Sequence, residues 1–107
     1  MENGRFENRP WGHFEVLHEQ YGKVKVIHVY PKKRLSYQLH HKRSEIWVVQ
    51  QGVGKAVLND KEQNLAPGAV ILIPHGCKHR IENTDETTTL VFIEVQYGTY
   101  YSEEDRS

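Results

Sequence analysis

The stretch that decides the fold is GAVILIPHGCKHRIEN, residues 68–83 of a chain of 107 residues. An apolar run, Ala69–Pro74, leads into the turn dipeptide His75-Gly76, and a second run, Lys78–Asn83, follows directly. Short runs rich in Val and Ile that are bounded by Gly and Pro are typical of β-strands. The stretch therefore predicts two strands joined by a tight turn, with His79 near the start of the second.

Runs of the same kind lie on both sides of this stretch, and no part of the chain has a convincing helical pattern. The further runs are Phe14–His18, Lys23–Pro31, Leu35–His40, Glu45–Gln50, Gly54–Asn59 and Thr87–Gln96. Many short strands at regular spacing favour a β-sandwich or barrel. We expect a single all-β domain over residues 1–107, with an N-terminal arm over about residues 1–12 and a frayed tail over about residues 102–107.

The composition narrows the classes of function. Lys and Arg together number 14, as do Asp and Glu, so the net charge is zero with His neutral. This balance argues against nucleic acid as a partner, and the absence of a long apolar stretch argues against a membrane. No secretory signal is visible, and the one cysteine cannot form an internal disulfide, so we expect a cytoplasmic protein. Seven histidines direct attention to metal sites.

Two spaced motifs resemble the signature motifs of the cupin superfamily. The later one has all five of its fixed positions, in order and at the expected spacing: Gly68, Pro74, Gly76, His79 and Asn83. The earlier one has Gln where the first of two His is usual, and consists of Gln38, His40, Glu45 and Gly52. The resemblance implies a cupin-type double-stranded β-helix, which is a jelly-roll-like barrel. It also implies one divalent metal ion per chain, held by Gln38, His40, Glu45 and His79.

Strand geometry supports this ligand set. Gln38 and His40 are two residues apart on a predicted strand, so their side chains point the same way. Glu45 begins the next strand and can face them, while His79 comes from a strand across the barrel. Two imidazoles, one carboxylate and one amide oxygen suit zinc, the first choice, and leave manganese, iron and cobalt possible.

The same alternation gives the predicted strand Leu35–His40 an apolar face. If the polar face lines the barrel, Leu35, Tyr37 and Leu39 point outward and need cover. A second copy of the chain could supply that cover across a two-fold axis, so we expect a homodimer.

Nearly the whole chain, from about Arg9 to Asp105, resembles the C-terminal isomerase domain of type II phosphomannose isomerases. These domains are often fused to a mannose-1-phosphate guanylyltransferase, and short stand-alone relatives exist. The resemblance lies in RPWG (9–12), LSYQLHHKRSEIW (35–47), IPHGCKHRIEN (73–83), IEVQ (93–96), Gly98, Tyr100 and Glu103–Asp105. Gln38 is a feature of these isomerases. Lys42 and Ile46 depart from their pattern, which commonly has His at both positions.

The resemblance implies a metal-dependent sugar-phosphate isomerase that interconverts mannose 6-phosphate and fructose 6-phosphate through an enediol. Guanylyl transfer is not implied, because the chain has no Gly-rich nucleotide loop. Such a reaction needs a base for the sugar proton and cations for the phosphate. We expect Arg43 and Glu94 to be catalytic; Glu94 is a charge in an otherwise apolar strand. Arg9, Arg80 and Trp47 are the expected contacts to the phosphorylated sugar.

Two other functions stay open on the sequence alone. One is a non-catalytic cupin that binds metal and sugar as a sensor or accessory protein. The other is an oxygen-using iron cupin, which the Gln ligand disfavours because His-rich sites are more usual for that chemistry.

Overall fold

A computed structural model describes residues 5–98 of the chain, and these residues form nine β-strands and no helix. The strands are β1 (Arg5–Arg9), β2 (Gly12–His18), β3 (Lys23–Val29), β4 (Arg43–Gln51), β5 (Gly54–Leu58), β6 (Lys61–Leu65), β7 (Val70–Ile73), β8 (His79–Asn83) and β9 (Leu90–Gly98). All strand pairs are antiparallel. The all-β prediction is therefore confirmed. The described residues contain no helix that is long and apolar enough to cross a membrane.

The strands form two sheets that enclose one core. One sheet has six strands in the order β1-β2-β3-β9-β4-β7, and the other has three in the order β6-β5-β8. Side chains alternate between the interior and the outer surface, as the burial of every second residue along β4 and β9 shows. The interior residues of β9 are Leu90 and Phe92 at one end and Glu94 and Gln96 at the other. The barrel therefore has an apolar end and a buried polar end.

The segment between β3 and β4 differs from its predicted structure. Residues 35–40 form no strand, and two isolated bridges, Arg34↔Glu82 and Gln38↔His79, tie this region to β8. The bridged residues are four positions apart in one segment and three positions apart in the other, so the register slips by one residue between the bridges. A one-residue slip moves side chains to the opposite face. Simple alternation therefore fails in this segment.

The prediction that Leu35, Tyr37 and Leu39 form an outward apolar face is therefore wrong in part. Leu35 packs against the core and lines the interior cavity instead of pointing outward. Tyr37 is covered within the chain, because its hydroxyl donates to Asp60 Oδ1 at 2.8 Å and the Lys78 ammonium lies 4.8 Å from its ring centroid. The homodimer was expected because this apolar face needed cover, and the structure removes that argument. The homodimer itself remains a prediction.

Two strands have no counterpart among the predicted runs. β1 lies inside the predicted N-terminal arm, and β6 lies between two predicted strands. Both are edge strands with mostly exposed, polar side chains. Backbone pairing to one neighbour holds them, so they need no alternating apolar pattern. The predicted tail over residues 102–107 and the motif residues Tyr100 and Glu103–Asp105 lie outside the described residues.

Gly54 packs directly against the backbone of β8. A Cβ atom at this position would lie 2.2 Å from the Glu82 carbonyl oxygen, so Gly54→Ala must push β5 and β8 apart. We expect this change to lower the free energy of unfolding by about 3 kcal/mol. Gly68→Ala is the matched control, since a Cβ there meets nothing within 4 Å and only the backbone at φ +89° is strained, by about 1 kcal/mol. Urea unfolding measures both, and equal losses would contradict the prediction.

Candidate metal centre and pocket

Three predicted ligands meet inside the barrel at its polar end. His40, Glu45 and His79 each offer one ligand atom, which is an imidazole nitrogen or a carboxylate oxygen. These three atoms all lie within 4.8 Å of one another. His40 Nε2 is 3.4 Å from Glu45 Oε2, and His79 Nε2 is 3.6 Å from Glu45 Oε1. All three residues are at most 5% exposed. The structure thus brings together groups that are distant in sequence.

The backbone explains why these three side chains converge. Glu45 is an interior residue of β4, and His79 is the first residue of β8. The Gln38↔His79 bridge fixes the loop before β4 next to β8. The Gly76 amide donates to the His40 carbonyl at 2.7 Å, and Gly76 has a φ of 81°, in the left-handed region that favours glycine. The Pro-Gly turn of the deciding sequence therefore positions both histidines.

Neighbouring groups orient the ligands. The Trp47 indole N–H donates to Glu45 Oε1 at 3.1 Å. His79 Nδ1 lies 2.9 Å from the Cys77 carbonyl, which can only accept, so Nδ1 carries the proton and Nε2 faces Glu45 with its lone pair. Burial lowers the pKa of His79 below its usual value, against the opposing effect of that hydrogen bond. A neutral, oriented imidazole is the form that binds a metal ion.

The donor set fits a divalent transition metal. Two buried imidazoles and one carboxylate match sites for zinc and for similar ions that accept nitrogen and oxygen ligands. Gln38, the predicted fourth ligand, lines the same cavity, and its amide nitrogen donates to Ser36 Oγ at 2.8 Å. Its ligation remains a prediction.

Arg43 lies among the predicted ligands. Its guanidinium is 3.0 Å from His40 Nε2 through Nη2 and 3.4 Å from Glu45 Oε2 through Nε. Because a guanidinium can only donate, His40 Nε2 accepts this hydrogen bond. If His40 held a metal ion through Nε2, the ion would need this lone pair, and Arg43 would have to release His40. The side chain is 3% exposed and lines the cavity, within reach of a ligand bound beside the metal site.

Glu94 lies beside this cluster in a row across the sheet, where β9 pairs with β3 and β4. Its backbone neighbours in that row are Lys25 and Trp47. Lys25 Nζ is 3.9 Å from Glu94 Oε2, and the Gln96 amide donates to the same oxygen at 2.7 Å. Burial, and next the charge of Glu45, raise the pKa of Glu94 to about 7, while Lys25 acts in the opposite direction. A carboxyl group with that pKa can accept or release a proton near neutral pH.

The cavity above these groups has a volume of about 400 Å³, which is large enough for a phosphorylated hexose. Arg9, Arg80 and Trp47, the predicted sugar contacts, all line it. Arg9 pairs with Glu7 at 2.6 Å and Arg80 with Glu82 at 2.7 Å, so both arginines also have structural partners. Trp47 is 2% exposed and belongs to the core, so it forms a wall of the cavity.

Sequence reasoning missed two buried polar residues of the site, Lys25 and Gln96. Both are interior residues of strands that are otherwise rich in Val, Ile and Leu. Lys25 alternates with Ile27 and Val29, which are buried. A charged residue in the apolar phase of an alternating strand was the available signal, and it is the same signal that pointed to Glu94.

The chain is similar to known families and structures. The family model described as "Mannose-6-phosphate isomerase C-terminal" matches residues 2–107. "Mannose-1-phosphate guanylyltransferase 2" of Escherichia coli O157:H7 is 41% identical over 99 residues, which are 91% of this chain and 20% of that protein. Further curated relatives at 36–39% identity have the same name or are named for alginate or xanthan biosynthesis. The chain spans about a fifth of the length of these relatives.

Solved structures confirm the predicted fold class. The capsular polysaccharide assembling protein CapF of Staphylococcus aureus superposes with a TM-score of 0.82 at 23% identity, over 97% of this chain and 33% of that one. A cupin-2 domain protein of Rhodospirillum rubrum superposes with a TM-score of 0.78 at 17% identity, over 95% of this chain and 78% of that one. The two-sheet barrel is therefore a cupin-type double-stranded β-helix.

Proposed function

We propose that this chain is a metal-dependent enzyme domain whose pocket binds a mannose phosphate. The chain belongs to the family of mannose-6-phosphate isomerase C-terminal domains. The observation that carries the proposal is the buried group of His40, Glu45 and His79 at the base of a cavity that also holds Lys25 and Glu94. Zinc is the ion we propose first, with one ion per chain.

The isomerisation expected from the sequence is corrected by the relatives. Proteins that are 36–41% identical over this domain are named for guanylyl transfer to mannose 1-phosphate, and none of these names is that of an isomerase. The expected interconversion of mannose 6-phosphate and fructose 6-phosphate is therefore not pursued. The non-catalytic alternative fits no better, since these relatives are named as enzymes. Guanylyl transfer itself belongs to proteins about five times as long as the matched segment.

The charges in the pocket support an anionic ligand. Lys25 and Arg43 are buried cations, and Glu45 and Glu94 are the two buried carboxylates that balance them. A divalent ion added to this balanced set leaves the pocket positive. Arg9 and Arg80 add positive charge at its lining. A phosphate monoester supplies the negative charge that such a pocket needs, and arginine binds it with paired N–H donors.

His40, Glu45 and His79, together with Gln38, are the residues that would hold the ion. When bound, a divalent metal polarises sugar oxygens and stabilises negative charge that develops on them. Glu94, expected to be catalytic, is the group in this cavity that can accept or release a proton near neutral pH, because burial raises its pKa to about 7. Its hydrogen bond from Gln96 fixes the orientation of the carboxyl group. Trp47 closes one side of the cavity and limits access of water to the reacting groups.

Calorimetric titration of the zinc-loaded full chain tests the proposal. We expect mannose 1-phosphate or mannose 6-phosphate to bind at least about tenfold more tightly than mannose, because only the phosphates use the positive pocket. Removal of zinc by a chelator should weaken binding by a similar factor. Phosphorus NMR of the same samples tests for consumption of either phosphate. Equal binding of mannose and its phosphates, or binding of none of them, would contradict the proposal.

A further inference from the structure

Gln96 is a fully buried polar residue whose place in the pocket the metal site does not explain. It lies on β9 opposite Glu45 on β4, faces the interior, and is 1% exposed. Its side chain lines the cavity together with Glu94 and Glu45. A residue at this point can contact both the predicted ion site and a ligand in the cavity.

The two ends of the Gln96 amide have different surroundings. Nε2 donates to Glu94 Oε2 at 2.7 Å, and with Glu94 ionised this bond fixes the orientation of the amide, because the oxygens of a carboxylate can only accept. Oε1 is buried and has no hydrogen-bond partner among the described residues. A buried amide oxygen without a donor is rare in native proteins and destabilises the fold.

Packing alone does not account for glutamine here. The interior residues that precede it on β9, Leu90 and Phe92, are apolar and wholly buried. Methionine has nearly the shape of glutamine and would fill the same space with no unpaired oxygen. An unpaired buried acceptor on a residue that lines a cavity is one of the few polar groups there that a bound ligand can pair with.

We propose that Gln96 Oε1 accepts a hydrogen bond from a hydroxyl group of the bound mannose phosphate, so that Gln96 selects a sugar with a hydroxyl at that position. This inference rests on the proposed function, because the donor is a sugar hydroxyl. A site built to bond a hydroxyl discriminates against the analogue that lacks it, since its own buried acceptor is then left unpaired. Gln96 is a binding residue in this assignment, and its Nε2 group also positions Glu94.

The test combines one variant with a series of sugars. The zinc-loaded wild type and Gln96→Met are titrated with mannose 1-phosphate, mannose 6-phosphate and their deoxy analogues, each lacking one hydroxyl group. We expect Gln96→Met to weaken binding of the parent sugar about five- to tenfold. On the wild type, one deoxy analogue should bind more weakly than the parent sugar by about the same factor. On Gln96→Met, that analogue and the parent sugar should bind equally. Gln63→Met, on the exposed face of β6, is the matched control.

Each result decides between the two proposals. If the wild type binds neither mannose phosphate, the proposed function and this inference fail together. If the wild type binds and Gln96→Met binds equally well, or if every deoxy analogue loses the same affinity in both proteins, the inference alone is overturned. A loss of zinc affinity in Gln96→Met without a change for the sugar would also overturn it. Gln96→Met removes the unpaired oxygen but also the hydrogen bond to Glu94, so some loss of thermal stability is expected, and circular dichroism at the titration temperature verifies that the variant is folded.

Discussion

Replacing Glu45 with glutamine is expected to lower the affinity of the chain for zinc by about a hundredfold or more. Loss of a hydrogen-bond partner behind a ligand already weakens metal sites about 10- to 100-fold, and Glu45 is itself the only carboxylate of the predicted ligand group. Its two oxygens lie 3.4 Å from His40 Nε2 and 3.6 Å from His79 Nε2, so it is central to the cluster. Glutamine keeps the shape and an oxygen but removes the negative charge.

Competition with a chromophoric chelator measures this affinity on the metal-free full chain. His75→Gln is the control, since His75 is an exposed histidine in the turn just before β8 and is not part of the cluster. We expect the control to bind zinc like the wild type. Circular dichroism at the titration temperature verifies that Glu45→Gln is folded. Wild-type affinity in a folded Glu45→Gln variant would show that zinc binds elsewhere.

The alternation in β4 and β9 explains how much of the site could be predicted from the sequence. These strands pair along most of their length, so a period of two correctly places Glu45, Trp47 and Glu94 inside the barrel. His40 and His79 were predicted for a different reason, which is their place in the two motifs that resemble cupin signatures, over residues 38–52 and 68–83. The three clustered ligands were therefore predicted from strand alternation together with the resemblance to known motifs.

The remaining features depend on pairing between distant segments. The slip between the bridges at Arg34 and Gln38 is a property of how this loop meets β8, and nothing in residues 35–40 indicates it. Leu35 consequently lies in the cavity lining, contrary to its expected position. The position of Arg43 against His40 is likewise set by side-chain packing, so the sequence could place it near the metal site but not inside the ligand cluster.

Replacing Lys25 with methionine is the second change with a large expected effect, this time on stability. Lys25 Nζ lies 3.9 Å from Glu94 Oε2 and 4.4 Å from the Phe14 ring centroid, and the side chain is 6% exposed. When the Lys25 ammonium group is removed, the carboxyl groups of Glu94 and Glu45 have one fewer cation nearby. Removing one partner of a buried ion pair costs about 3–5 kcal/mol while the other partner stays charged. Burial raises the pKa of Glu94 to about 7, so its carboxyl is ionised at pH 9, where we expect Lys25→Met to lower the free energy of unfolding by about 3 kcal/mol.

Two companion variants separate the buried charge from the loss of a lysine in general. Lys55→Met removes the cation of a surface pair, Lys55 with Glu62 at 3.4 Å, and should change stability by less than about 1 kcal/mol. Lys25→Met combined with Glu94→Gln should be more stable than Lys25→Met alone, since the carboxylate left without its cation is then neutralised. Urea unfolding at pH 9 measures all of them. A loss in Lys25→Met as small as that in Lys55→Met, or no recovery in the double variant, would mean that Lys25 does not stabilise the charge of Glu94 in the pocket.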